Sequence, residues 1–179
     1  MMQMRNWKTL GLISMGIFWI FTIVAVFMNP WFDISHHTLS KLGKPGMANS
    51  PWMFSSGAII GGAFMIWYGI EISRKNDYRL GILGGGYVIL SGVFMALVGV
   101  FPDGTKPHDF IALSTFLLFY TGFMLLGLGS RRVFLKCSTI SVFIAAIAGL
   151  VCPCWRSLGY LEIYGISLVI LDMIVYYFE

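Results

Sequence analysis

Long stretches of chain without a charged side chain constrain this sequence more than anything else in it. Thr9 to Phe32, Pro45 to Ile70, Leu80 to Pro102, Phe110 to Ser130 and Cys137 to Trp155 contain no Asp, Glu, Lys or Arg, and Ser157 to Phe178 contains only Glu162 and Asp172. A hydrocarbon layer about 30 Å thick is crossed by roughly 20 helical residues rising 1.5 Å each, so every run is long enough to cross once. Only 11% of the 179 residues are charged, against about 25% in soluble domains. That excludes a soluble globule and a disordered chain. The net charge of +4 does not indicate a nucleic-acid partner, because the basic residues sit in twos and threes at the ends of apolar runs, where membrane topology accounts for them. The expected fold is all-α: a six-transmembrane-helix bundle in a single integral-membrane domain, with spans over about 9–29, 52–72, 80–101, 108–129, 135–153 and 159–178.

The first run follows Arg5 and Lys8 as a secretory signal would, but it is longer than an ordinary signal core and has no small-x-small cleavage site before Asn29 and Pro30. It is expected to be a retained helix. Basic residues on alternate sides number eight (Arg5, Lys8, Arg74, Lys75, Arg79, Arg131, Arg132, Lys136) against four (Lys41, Lys44, Lys106, Arg156). The richer side is expected to be cytoplasmic, with both termini there, in a cell membrane. Trp7 and Trp67 fall near inner ends of spans, and Trp31, Trp52 and Trp155 near outer ends, the headgroup layers that tryptophan favours. Glycine, with 21 residues, lies on helix faces: Gly57 and Gly61 on the second span, and Gly81 with Gly85, Gly92 and Gly99 on the third. Lipid gives helices no hydrophobic reason to associate, so close approach over small residues is a main way to pack. Spans two and three are expected to form the tight core.

This orientation gathers the reactive side chains on the outer side. His36 and His37 lie in the longest connection, and His108 opens the fourth span after Asp103 and Pro107. Asp33 reads as an N-cap, Gly43 as a C-terminal glycine and Pro45 as a stop, which predicts a short helix over 34–42, interfacial or re-entrant. On such a helix Ser40 shares a face with His36 or His37. His108 sits in the first turn of its helix, where the dipole favours the neutral imidazole that a base or metal ligand needs. Glu162 lies inside the sixth span, where a carboxylate is expensive and therefore a functional candidate. Asp172 lies deeper on the same helix and suits a hydrogen bond between helices.

The candidate catalytic residues are accordingly His108, Ser40, His37 and Glu162, with Asp103, Lys41 and Asp33 as candidate ligand-binding groups. A divalent metal such as zinc, which commonly takes three protein ligands and a water, would draw on His36 and His108; no HExxH or HxxxH spacing accompanies them. Ser40 as an acyl-transfer nucleophile lacks any sequence pattern for an oxyanion hole. Cys152 and Cys154, around Pro153, admit a soft-metal or redox reading, while a disulfide between residues only two apart is geometrically awkward.

His37-Thr38-Leu39-Ser40-Lys41-Leu42-Gly43, Phe54-Ser55-Ser56-Gly57 at the head of a glycine-rich span, Gly99-Val100-Phe101-Pro102 followed by His108, and Glu162 early in the last span resemble an uncharacterised six-span prokaryotic membrane family, domain of unknown function number 998. The resemblance runs over nearly the whole chain. It implies the six-helix fold and no reaction.

The residues themselves favour an enzyme, a hydrolase or group-transfer catalyst whose outward-facing polar pocket takes a lipid or small amphiphile. A transporter, channel or ligand-binding sensor is the first alternative, and a non-catalytic membrane subunit or assembly factor the second. Expected partners are membrane lipids and a lipid or small-molecule ligand, with no nucleic acid.

Overall fold

In the computed structural model, residues 6–179 are described, and among them there are six long helices and no strand. Arg5, counted above for orientation, lies outside the described residues. The helices are α1 (Thr9–Met28), α2 (Pro51–Lys75), α3 (Arg79–Val100), α4 (His108–Gly129), α5 (Val133–Val151) and α6 (Leu158–Phe178), and all six are long and apolar enough to cross a membrane. This is a multi-pass helical membrane protein. Its two faces are named here by their contents: the histidine face, with His36, His37 and His108, and the arginine face, with Arg74, Arg131 and Arg132.

Local chemistry sets the helix ends. Pro51 starts α2, where a missing N–H costs nothing. Pro153 biases Cys152 out of the helical region (ψ 124°), so α5 stops at Val151. The Ser157 hydroxyl accepts the Tyr160 N–H at 3.4 Å and caps α6.

Packing is tightest where glycines face each other. Ser55, Gly62 and Gly69 descend α2 in steps of seven while Gly99, Gly92 and Gly85 ascend α3 in the same steps, in antiparallel register. A methyl on Gly62 would lie 2.6 Å from the Gly92 carbonyl oxygen, and one on Gly69 would lie 2.9 Å from that of Gly85. The α3–α4 contact repeats the device with Gly84 against Gly122. The expectation for spans two and three holds, except that Gly57 and Gly61 serve α1, approaching Phe21 and Ser14; the Ser14 hydroxyl donates to the Gly61 carbonyl at 2.7 Å. Helices α5 and α6 are spaced instead by aromatic rings, Tyr164 lying over Gly149 and Phe116 beside Gly165.

Two expectations need correction. The segment expected to be a helix over 34–42 is a tight turn at 33–37 followed by a 3-10 turn at Leu39–Gly43. Helix α6 takes the backbone groups a continuous helix would need. The Ile34 carbonyl accepts the Ser157 hydroxyl at 2.6 Å, the Leu39 N–H donates to Glu162, and Thr38 between them is extended (ψ 154°). Asp172, expected to bridge helices, is 1% exposed, and neither of its oxygens has a hydrogen-bond partner among the described residues. On α4 Tyr120 donates instead to the Gly165 carbonyl at 2.7 Å, and the buried Tyr68 hydroxyl of α2 is likewise without a hydrogen-bond partner among the described residues.

Candidate functional site

The first two turns of α6 form the seat on which the 29–50 connection is fixed. Ser157 holds the Ile34 carbonyl, and Gly159 lets the Ile34 and His37 carbonyls approach so closely that any side chain there would collide. One turn on, Glu162 accepts the Leu39 N–H at 2.5 Å and the Ser40 hydroxyl at 3.5 Å. The base of the connection is closed by two asparagines. Buried Asn29 accepts the Asn49 N–H at 2.8 Å, and the Asn49 amide donates to the Met28 carbonyl at 2.7 Å.

The neighbouring connection presents Asp103 and His108. Thr105 N–H donates to the Pro102 carbonyl at 3.1 Å, and Gly104 between them has φ +89°, the left-handed position of a type II turn that glycine fills without strain. Asp103 projects from this turn and pairs with Lys44 at 3.3 Å, linking the two connections. His108 is 3% exposed. Its Nδ1 lies 2.8 Å from the Phe101 carbonyl oxygen; a carbonyl only accepts, so Nδ1 carries the proton and Nε2 keeps a lone pair.

These pieces surround a cleft of about 760 Å³ between α4 on one side and α5 and α6 on the other. Its mouth carries His36, His37, Lys41, Asp103, Asp109 and Arg156, with His108, Ser40 and Glu162 further in; Leu113, Phe116, Leu117 and Ile147 make its deeper wall. Along α4 the lining runs from His108 to Tyr120, about 18 Å at 1.5 Å per residue. That is about the depth of one leaflet's hydrocarbon. Behind Ser40 and Glu162, which border both spaces, lies a second cavity of about 80 Å³, otherwise lined chiefly by apolar side chains such as Met15, Met65 and Met95.

Seven of the residues singled out in the sequence therefore share one cleft: His36, His37, Ser40, Lys41, Asp103, His108 and Glu162. Their pairings differ from the expected ones. Ser40 donates to Thr38 at 3.1 Å and to Glu162, and no hydrogen bond joins it to a histidine among the described residues. His37 accepts the Asp33 N–H on Nδ1 at 3.3 Å and stands edge-on to Trp31, with ring centroids 5.1 Å apart. His36 is bound to Asp33 at 3.0 Å and is not in the cluster around His108; that cluster is Asp103, His108 and Asp109, whose ligand atoms lie within 4.8 Å of one another. Asp109 carried no role in the sequence reading.

Asp33 does not line the cleft. Its carboxylate accepts the Ser35 hydroxyl at 2.7 Å and the Ser35 N–H at 2.8 Å, and these bonds, with the one from His36, lower its pKa to about 2. It shapes the turn. Cys152 and Cys154 are joined in a disulfide, which leaves neither as a thiolate for a soft metal. Sequence reasoning passed over Asn29, Asn49, Ser157 and Gly159. Their only signal was polar or small character next to apolar runs, which many surface positions share.

The fold and cleft define a six-helix membrane protein with an amphipathic pocket open at its histidine face. The chain belongs to the family described as protein of unknown function (DUF998), whose model matches residues 12–178. No curated protein and no solved structure matches it.

Proposed function

We propose that this protein is a hydrolase or group-transfer enzyme that draws a lipid or small amphiphile into the cleft from the outer leaflet of a cell membrane, with both termini cytoplasmic. The observation that carries the reading is the gradient within one cavity, from charged and imidazole groups at the mouth to Leu113, Phe116, Leu117 and Ile147 below. An amphiphile fits that gradient, head at the mouth and chain along the wall, whereas a fully polar solute would leave the deeper wall unpartnered. Lys41 and Arg156 line the mouth, and among the described residues neither has a carboxylate within 4.0 Å. They suit an anionic head.

His108, which lines the cleft with Nδ1 committed to the Phe101 carbonyl, activates the attacking water through Nε2. In its neutral form His37, accepting at Nδ1, carries its proton on Nε2 and supplies a donor to the leaving group. Glu162 is a positioning residue that holds Leu39 and Ser40 in place. The test is turnover of a panel of phospholipids, lysolipids and acyl esters by protein in nanodiscs, beside His108→Ala and Lys41→Ala. The reading expects release of a head or acyl group that His108→Ala abolishes and Lys41→Ala weakens chiefly through KM. Intact panel lipids with no saturable binding would refute it.

A further inference from the structure

We infer that Asp103, His108 and Asp109 form a binding site for one divalent cation of the zinc class, with an open position toward the cleft. The inference deepens the proposed function and rests on it for the role of the ion, though not for its binding. Asp109 by itself is accounted for by the helix dipole, which favours a carboxylate in the first turn of α4. His108 is not so accounted for. It is buried, 3% exposed, its Nδ1 is committed to the Phe101 carbonyl at 2.8 Å, and its Nε2 has no hydrogen-bond partner among the described residues while lining the cavity. That is how a metal-binding histidine is held, with one ring nitrogen donating to a backbone carbonyl so that the other presents its lone pair in a fixed direction.

The other two ligands converge on the same point. Asp103 projects from the glycine-dependent turn, and its Oδ2 is 3.3 Å from Lys44, which leaves Oδ1 for an ion and provides the outer support that ligating carboxylates ordinarily have. The three ligand atoms lie within 4.8 Å of one another. Zinc at about 2.0–2.2 Å from each asks for separations of about 3.3–3.6 Å. Rotation of the exposed Asp109 side chain supplies that contraction. One nitrogen and two carboxylate oxygens, without thiolate, suit zinc or manganese better than copper(I). Three protein ligands with a fourth position open to a substrate cavity is the arrangement of catalytic, as opposed to structural, zinc. In it His108 acts through the cation and not as the base itself.

The experiment uses the full chain in detergent, stripped with a chelator and titrated with Zn2+ by calorimetry and with Co2+ by visible absorption. The expected result is one ion per chain, with Asp109→Asn and His108→Ala each weakening binding roughly 100-fold and His36→Ala leaving it unchanged. Asp109→Asn, at an exposed position, keeps the test sound if His108→Ala fails to fold. Absence of binding, or equal affinity in all three variants, overturns the site. Amphiphile binding is followed in parallel by tryptophan fluorescence on the stripped protein. If amphiphile binds and no ion does, the cation site falls and the cleft reading stands; if neither binds, both fall.

Discussion

Three consecutive glycines on α3 should respond in opposite directions to the same added methyl group. A Cβ on Gly84 would meet the Gly122 carbonyl oxygen at 2.6 Å and the Leu126 backbone nitrogen at 3.0 Å. On Gly85 it would meet the Ser73 hydroxyl, with the Ser73 nitrogen at 2.7 Å and the Gly69 carbonyl oxygen at 2.9 Å. On Gly86 it would meet nothing within 4 Å. Comfortable contact begins near 3.5 Å, so Gly84→Ala must push α3 and α4 apart by about 0.9 Å, and the opposing atoms include main chain that cannot rotate away. Overpacking of this kind costs about 1–3 kcal/mol, while alanine gains about 0.8–1.0 kcal/mol over glycine in a helix interior. Gly84→Ala and Gly85→Ala should therefore lose up to about 2 kcal/mol, and Gly86→Ala should gain up to about 1 kcal/mol. Equilibrium unfolding by SDS titration in mixed micelles, read by circular dichroism, measures all three on one scale. Equal effects at the three positions would refute the argument that backbone approach, and not glycine content, holds α2, α3 and α4 together.

Asp172→Leu should raise stability by up to about 3 kcal/mol in the same titration, because it removes a buried polar group with no partner among the described residues and keeps its branched shape, less the cost of fitting the larger methyls; a loss beyond that overpacking cost would mean the carboxylate is bonded. Glu162→Ala deprives the Leu39 N–H of its acceptor, a charge-assisted bond of about 1.5–3 kcal/mol, so amide exchange at Leu39 should speed by roughly 10- to 100-fold, with Glu162→Gln intermediate. Unchanged exchange would show that another group holds the turn. Asp33, held at about 2, has a lowered pKa, so its support for the turn is complete above the unfolded value near 3.8 and is lost as pH falls through about 2. Chemical-exchange-corrected protection at Ser35 should owe nothing to Asp33 titration between pH 5 and 8, decline only in that acid window, and disappear in Asp33→Ala.

Charge spacing alone gave away the helices, since a run without Asp, Glu, Lys or Arg in lipid has one economical conformation. The glycines of α3 were visible as a seven-residue repeat. Their complement on α2 was not, because Ser55 interrupts the repeat as a residue type while its backbone fills the same role against Gly99. The gathering of histidines and carboxylates on one face followed from topology, but their pairings did not. Asp33 was read as the cap of a helix, yet a cap says only where a helix can start. The carbonyls that would have continued it are claimed by Ser157 and by close approach to Gly159, more than 120 residues away. Asp109 was grouped on the outer face but given no role for the same reason: in sequence it only neighbours His108, and the turn that returns Asp103 brings the three together.

The position of the cleft follows from where glycine packing stops. Facing glycines bring α2 to α3 and α3 to α4 until their backbones touch, which makes those helices a closely packed slab beside the small cavity of about 80 Å³. Between α4 and α6 the pattern changes: the Phe116 ring of α4 stands against Gly165 of α6, and the cavity lies beside it. The chemical groups are divided across that boundary. His108 and Asp109 ride on the slab at the start of α4, while Glu162 and Ser157 ride on α6 and carry the first connection with them. The first connection thus bridges the boundary, fastened to α6 by Ser157 and Glu162 and to the turn before α4 by the Lys44–Asp103 pair, so the polar groups of both sides are held at one end of the cleft.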